Sequence, residues 1–435
     1  MLSAHFRHRA PSAIRVAGIR FAERGDRTDA INVAIGNVSL PMHPAMVRRL
    51  GALRDPGSPF SDGVVRYTAT VGTDEARAAF LHVLEASGAA RTGLHCQITD
   101  GGSQAMELVI VGLCGAAGSG ERPLMLLDAA YTNYLAFAER TGRATVSVQR
   151  TLGDDGEFSL PDFAEMEAVM KRERPGALVV IPYDNPTGQF LEQESLVELA
   201  RLCVRHDVAL VSDEAYRELF YTGRDAASVW KITEADVPGI TGRRISLETA
   251  SKVWNACGLR IGALITDSAE FHRAAVAENT ASLCSNAIGQ YIFAALGEET
   301  PESLHEWFAA QRTYYHTMMK DFTDRTRELI PGAIVSRPDA SLYSVVDVRN
   351  LVDADFDALE FVLWCAAEGR VARDGRDYTL LTAPMAEFYD IPESAPNPGR
   401  TQLRVAYVET PERMRLVPEL LSELFRAYVG SRATP

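Results

Sequence analysis

Lys252 and Arg260 stand eight residues apart in the stretch Ser246–Gly262, SLETASKVWNACGLRIG. The stretch begins as an apolar strand and ends in a glycine-punctuated loop, which puts the lysine at an apolar strand end. Partial loss of hydration there favours the neutral amine, which can condense with a carbonyl. A guanidinium is planar and permanently charged, which suits Arg260 to a phosphate. Gly258 and Gly262 would let the backbone turn close to a bulky anion. Taken alone, the pair is equally a surface lysine and a core-edge arginine. Asp213 closes the run VALVSD, and Arg404 lies in TQLRVAYVE. A carboxylate after a strand can hold a cationic nitrogen, and an arginine fork can bind a carboxylate through two parallel hydrogen bonds. Each also has a plainer use, as a helix cap and as the partner of a surface acid.

Composition narrows the classes. With 435 residues, 46% hydrophobic and 23% charged, the chain has ample core for one large and one smaller domain, or a single large α/β unit. A net charge of −14 speaks against nucleic acid and against anionic membrane surfaces as partners. No apolar run approaches a membrane span; the nearest, around Met106–Ala117, is glycine-broken and reads as a buried helix. The cysteines at 96, 114, 203, 257, 284 and 365 show no C-x-x-C or zinc spacing. They read as reduced core residues of a cytoplasmic protein, and no metal site is expected. Arg7, Arg9, Arg15 and Arg20 precede the first acid, Glu23, as in a transit peptide. The preferred reading is an N-terminal helix over Ser12–Ala22.

The elements that must position the reactive residues follow an alternating rhythm. The runs LMLLD (124–128), ALVVIP (177–182) and VALVSD (208–213) are strand-like, and a helical pattern covers Gln193–His206. That order predicts a mostly parallel sheet wrapped by helices, with functional residues beyond the carboxyl ends of the strands. The segment Thr99–Met106 opens a helix running to about Cys114. Gly101 and Gly102 allow a tight turn, Ser103 can cap, and free N–H groups at the helix start attract phosphate. Asn185-Pro186-Thr187-Gly188 follows the second of these runs and would otherwise be a plain turn. A long helix is expected over Pro301–Leu329 and strands within 335–348.

The spacing S-K-x5-G-L-R-I-G at 251–262, with N-P-T-G and S-D-E-A-Y upstream, resembles the signature of the class I/II (fold-type I) pyridoxal-phosphate-dependent aminotransferases. The likeness extends over roughly Ser12 to Val429. It implies an α/β fold: a mostly parallel seven-stranded sheet in a large cofactor-binding domain (55–310), and a smaller α+β domain formed by 1–54 and 311–435. It also implies that Lys252 carries pyridoxal 5'-phosphate, with Gly102, Ser103, Gln104, Thr249 and Arg260 around the phosphate. Tyr131 stacks on the ring, Asp213 meets the ring nitrogen, and Asn185 and Tyr216 meet the phenolic oxygen. Gly36, Asn185 and Arg404 then take the substrate, Arg404 binding its α-carboxylate. Tyr67 reaches the partner's cofactor phosphate in a homodimer, and the helix bearing Gln290 lies near the subunit contact. Two departures stand out. A-A-Y-T replaces the usual P-x-Y-P, which leaves Tyr134 as an alternative to the favoured Tyr131, and Ala340 stands where glycine is commoner.

The expected activity is transfer of an α-amino group from an amino acid to a 2-oxo acid by a ping-pong route. Lys252, Asp213 and Tyr216 are the expected catalytic residues. Shared cofactor motifs keep a β-elimination lyase, a cyclopropane-forming synthase, a decarboxylase or an oxidase as alternatives. A non-catalytic pyridoxal-phosphate sensor is more remote, because such regulators resemble this scaffold fused to a DNA-binding domain, and this chain is acidic with a short arm ahead of the scaffold.

Overall fold

A computed structural model describes residues 1–392 and 394–432. The strands in chain order are β1 (Asp29–Asn32), β2 (His95–Thr99), β3 (Leu124–Asp128), β4 (Thr145–Gln149), β5 (Ala177–Val180), β6 (Ala209–Asp213), β7 (Arg244–Thr249), β8 (Gly262–Thr266), β9 (Ile334–Val335), β10 (Tyr343–Asp347), β11 (Val371–Arg373), β12 (Arg376–Leu381), β13 (Ala383–Pro384) and β14 (Gln402–Ala406). β2 to β8 make a seven-stranded sheet in the order β2-β8-β7-β6-β5-β3-β4. β8 runs antiparallel to both its neighbours, and the other pairings are parallel. Every residue of β3 and β5 is buried, as expected of strands covered by helices on both faces. The mostly parallel seven-stranded sheet expected from the sequence is therefore present.

The single antiparallel turn-back shapes the reactive loop. Thr249 at the end of β7 pairs with Gly262 at the start of β8. The sheet thus closes the base of a loop, 250–261, that contains both Lys252 and Arg260. Gly262 is needed here for a reason other than room for an anion. A Cβ on it would stand 2.6 Å from the Glu248 carbonyl oxygen and 2.7 Å from the Gly101 carbonyl carbon. β8 passes directly under the turn that opens the Gly101–Leu113 helix, and only glycine permits that approach. Gly258 has open space around it, and the left-handed residues of this loop are Asn255, at φ 53°, and Arg260 itself, at φ 51°.

The remaining strands form two small sheets, β1-β12-β11 and β13-β14-β10-β9. The Pro301–Leu329 helix has the bounds read from the sequence. Thr300 accepts the Ser303 N–H at 3.2 Å and proline occupies the first helical position, so cap and first turn are both specified locally. Leu304, Phe308, Gln311, Tyr315 and Met319 are buried along it, and this stripe packs on the Asp74–Ala86 and Val417–Arg432 helices. β1 joins the small sheets to the site: the Val33 N–H donates to the Leu381 carbonyl at 2.9 Å, and the Ala406 N–H to the Val33 carbonyl at 2.8 Å. Among the described residues no helix is long and apolar enough to cross a membrane.

Gly262→Ala is expected to destabilise the fold by about 1–3 kcal/mol, the usual cost of overpacking, because the atoms in its way are backbone. Denaturant unfolding measures this; a midpoint equal to that of the native protein would show that the 101–102 turn moves freely.

Candidate active site

The carboxyl ends of β3, β5, β6 and β7 and the start of the Gly101–Leu113 helix surround one cavity. Gly102, Ser103, Tyr131, Asn185, Asp213, Tyr216, Thr249, Lys252 and Arg260 line it, together with Tyr134, Ser251 and Cys257. Lys252, Cys257 and Arg260 also line an adjoining open groove with Gly36, Asn37 and Arg15. The residues singled out in the sequence thus come from separate elements to one place, for the reason that parallel strands expose their carboxyl ends on one edge.

At one side of the cavity the helix opens at Gly101, whose φ of 71° is accessible to glycine at no steric cost. The residue before it, Asp100, makes no side-chain cap, so the N–H groups of the first turn stay free for an anion. Ser103 therefore does not cap; it lies inside the first turn with its side chain on the cavity. Facing this turn, the Thr249 and Ser251 hydroxyls lie 2.8 Å apart. Arg260 donates to the Cys257 carbonyl at 3.1 Å, and among the described residues no carboxylate lies within the 4.0 Å of an ion pair to it. A Cβ on Gly101 would stand 2.6 Å from the Arg260 guanidinium. Free helix N–H groups, two hydroxyls and an unpaired guanidinium form a cradle for a phosphate dianion. Gln104 does not join it. Its side chain accepts the Asp100 N–H at 2.8 Å and donates to Asn279 at 2.9 Å, so the first turn consumes it locally.

The cavity floor holds the acid. Asp213 receives the Tyr134 hydroxyl at 2.6 Å and the Ala215 N–H at 3.1 Å, while burial pushes its carboxyl above the ordinary carboxylate range. Tyr131 lies edge-on to Tyr134, with ring centroids 5.4 Å apart, and accepts a bond from Asn133 at 2.7 Å. The two tyrosines that the sequence left as alternatives thus do different things: Tyr131 lines the cavity, and Tyr134 also holds Asp213.

Lys252 donates its ammonium to the Gly36 carbonyl, which brings the 33–39 segment over the loop. A Cβ on Gly36 would meet both the Tyr343 hydroxyl and the Lys252 amine within 3 Å, so this glycine is required for the approach. Tyr343 shares a 2.8 Å hydrogen bond with Tyr216, which accepts from Asn185 at 3.3 Å. Arg404, 4% exposed, donates to the Asn185 side-chain oxygen at 2.7 Å and to the Ala34 carbonyl at 2.6 Å. Its guanidinium carbon sits over Tyr343 at 4.4 Å and Phe388 at 5.0 Å. It has no carboxylate partner among the described residues, and its Nε bonds to nothing.

A second layer holds these groups in place. Arg150 donates to Asp184 at 3.0 Å, and Asp184 accepts the Thr187 N–H at 3.2 Å, which folds the 184–188 loop against β3. Beneath β6 and β7, Arg217 lies 2.7 Å from Glu248 and 3.5 Å from Glu214, with Ser212 and Ser246 donating to the two acids at 2.8 Å. Tyr343, Arg150, Arg217 and Tyr134 escaped the sequence reading. Only Tyr134 left a trace there, as the alternative to Tyr131.

Of the expected residues, Gly36 lines the adjoining groove and Arg404 reaches the site through Asn185, while Gln104, Tyr67 and Gln290 lie outside the cavity. Tyr67 is 80% exposed and touches no part of its own chain's site. Gln290 is fully buried, accepting the Thr73 N–H at 2.8 Å and donating to Thr68 at 3.1 Å. Its amide fixes the segment that presents Tyr67.

The family model described as aminotransferase class I and II matches residues 29–385, and the chain belongs to that family. It is 26% identical over 245 residues to an aspartate aminotransferase of Musicola paradisiaca, covering 56% of each chain. It is 26% identical over 229 residues to the cystathionine beta-lyase PatB of Bacillus subtilis, covering 52% of this chain and 57% of that one. The chain spans about half the length of the curated relatives it matches. Among solved structures, the N-succinyldiaminopimelate aminotransferase of Mycobacterium tuberculosis superposes with a TM-score of 0.79 at 20% identity, covering 98% of this chain and 100% of that one. That likeness shows the fold. Pyridoxal phosphate is the cofactor of this family, and the donor set here fits it: a cradle for its phosphate, a lysine amine, an acid on the floor and an aromatic wall.

Asp128 closes β3 and accepts the Asp390 N–H at 2.5 Å, tying down the loop whose Phe388 lies under Arg404. Burial pushes its carboxyl up to about 6, and the neighbouring Asp390 acts in the same direction. An unfolded Asp titrates near about 3.9, so between these values the folded chain holds the extra proton. Stability from this group is full below the unfolded value and is lost as pH rises through about 6. Asp128→Asn should flatten that part of the pH profile of the unfolding midpoint. A profile that keeps its slope would place the proton elsewhere.

Proposed function

We propose that this aminotransferase-family protein moves the α-amino group of an amino acid to a 2-oxo acid, with pyridoxal phosphate bound on Lys252, in two half-reactions. The observation that carries this reading is a cavity lined by an amine and an unpaired phosphate cradle, with an unpaired buried arginine bonded to one of its lining residues, Asn185. Gly102, Ser103, Thr249, Ser251 and Arg260 hold the phosphate. Tyr131 covers the ring, Asn185 and Tyr216 donate to the phenolic oxygen, and Asp213 holds a proton on the ring nitrogen. Bound there, the cofactor supplies a carbonyl that captures the substrate amine and a ring that accepts the electron pair left at Cα.

The chain's own residues do the rest. Arg404 has five N–H donors, of which Asn185 and Ala34 take one each. The others, including the free Nε, are available to the α-carboxylate of the substrate, which supplies the missing countercharge. Asn185 holds the guanidinium in register, and the Tyr343 and Phe388 rings exclude water from it. Gly36 fixes the lysine amine before substrate enters. Once released, Lys252 Nζ would take the proton from the substrate Cα as general base and deliver it, as general acid, to C4′, the cofactor carbon that bore the carbonyl.

The protein is further proposed to act as a homodimer in which Tyr67 reaches the partner's phosphate cradle. Exposed Val64, Val65 and Tyr67 on one segment support such a contact. Residues 55–310 would form the large domain, since the seven-stranded sheet lies wholly within them. A cytoplasmic setting is supported by six free cysteines, four of them buried.

A β-elimination is the second reading, supported by the likeness to a protein named as a cystathionine beta-lyase. One experiment separates the two. A good amino donor, given without any acceptor, should bleach the pyridoxal absorbance and release one equivalent of 2-oxo acid. A 2-oxo acid added afterwards should restore the band. Repeated turnover of one amino acid alone, with ammonia released, would replace transamination by elimination while leaving the cofactor assignment standing.

Arg404→Leu removes a buried charged contact to the substrate, worth about 2–5 kcal/mol in kcat/KM. Pyridoxal phosphate affinity should stay near the native value, and Arg404→Lys, which keeps the charge but loses the fork, should fall between. Unchanged kinetics in the leucine variant would move the carboxylate site elsewhere.

A further inference from the structure

Tyr134 lies on the Asn133–Thr141 helix, one turn beyond Tyr131, and the mechanism above gives it nothing to do. Yet its ring is 2% exposed, it lines the cavity, and its hydroxyl donates to Asp213 Oδ2 at 2.6 Å. The other carboxylate oxygen takes the Ala215 N–H at 3.1 Å. No cation lies within the 4.0 Å of an ion pair to Asp213 among the described residues. Tyr134 is therefore the one side chain shown donating to this acid.

Opposed influences act on Asp213. Burial favours the neutral acid, and the charges of Glu248 and Asp184 add to that, while the bonds from Tyr134 and Ala215 favour the carboxylate. The backbone N–H belongs to the chain's course after β6. The hydroxyl is the adjustable contribution.

We propose that Tyr134 is a positioning residue whose hydroxyl keeps Asp213 ionised, so that the proton the two groups share stays on the cofactor's ring nitrogen rather than on the carboxyl. The inference rests on the reading that Asp213 faces that nitrogen. The proton moves only between Asp213 and the ring nitrogen, and no electrons are transferred. Tyr134 keeps its own proton, because burial first, and then the charge of Asp213, hold its phenol well above the ordinary value. It therefore remains a donor throughout. A hydrogen bond donated to a carboxylate lowers the affinity of that carboxylate for a proton. Without it the proton shifts toward Asp213, and the ring loses the positive charge that makes it an electron acceptor.

Tyr134→Phe removes the hydroxyl and keeps the ring. The probes are pyridoxal phosphate and its analogue with C–H in place of the ring nitrogen, titrated into the apoprotein. Native protein should bind the analogue more weakly, since an ionised Asp213 then faces a C–H group. In Tyr134→Phe the acid can take up a proton, so the ratio of the two dissociation constants should shrink by roughly tenfold or more, as for a hydrogen bond to a charged group. The ring-nitrogen NMR shift of ¹⁵N-labelled cofactor should move toward the neutral value. Both are readouts that mere support of the wall would not move. A stronger donor of the same shape, Tyr134→3-fluorotyrosine, should widen the ratio and serves also if the phenylalanine variant fails to fold. Ratios and nitrogen shift equal to native in the variants overturn the proposal. A native protein that binds both probes equally overturns instead the placement of the ring nitrogen at Asp213.

Discussion

Arg404 is 4% exposed and stacked between two aromatic rings, with a side-chain amide and a backbone carbonyl as its only hydrogen-bond partners among the described residues. A buried cation without a countercharge is costly, and its Nε has nothing to bond. The surroundings make the position tenable by binding the guanidinium from three directions. β14 carries it, the 184–188 loop meets it through Asn185, and the segment after β1 meets it through Ala34. The arginine thus joins the carboxyl edge of the large sheet to the small sheets, and its charge is left unmet at that junction.

The same arrangement recurs with the signs reversed. Among the described residues, Asp213 is an acid on the cavity floor with no cation within ion-pair distance, and Arg260 is a cation at the cavity edge with no acid. Deeper in, the pattern changes. Arg217 is flanked by Glu214 and Glu248, and Arg150 is bonded to Asp184. Burial still pushes Glu214 up to about 7, so even the paired charges are held under load. Compensated pairs form the layer that fixes strand ends, and uncompensated groups face the cavity.

Glycine enforces closeness at two points. Gly262 lets β8 pass beneath the helix start that makes the phosphate cradle, and Gly36 lets a backbone carbonyl reach the lysine amine. Neither contact would survive a side chain, since the nearest atoms are backbone in the first case and the working groups themselves in the second. The Lys252 amine therefore rests in a tightly specified geometry.

Local pattern in the sequence was enough for a mostly parallel sheet and the Pro301–Leu329 helix, and the resemblance to a known family is what grouped Asn185, Asp213, Thr249, Lys252 and Arg260. Strand periodicity, caps and turns depend on neighbours in the chain, and a parallel sheet necessarily brings the ends of its strands to one edge. What required the tertiary structure was the second partner of each group. The bonds of Tyr134 to Asp213, Tyr343 to Tyr216 and Arg404 to Asn185 span 79, 127 and 219 residues of chain, and no periodicity extends over such distances. Gln104 and Gln290 show the converse. Gln104 was expected at the cofactor and Gln290 only on a helix near a subunit contact, and the side-chain oxygen of each accepts a backbone N–H. Spacing along the chain says which residue types can meet, but unpaired backbone groups and buried charges, known only once the chain is folded, decide which of them remain free to act.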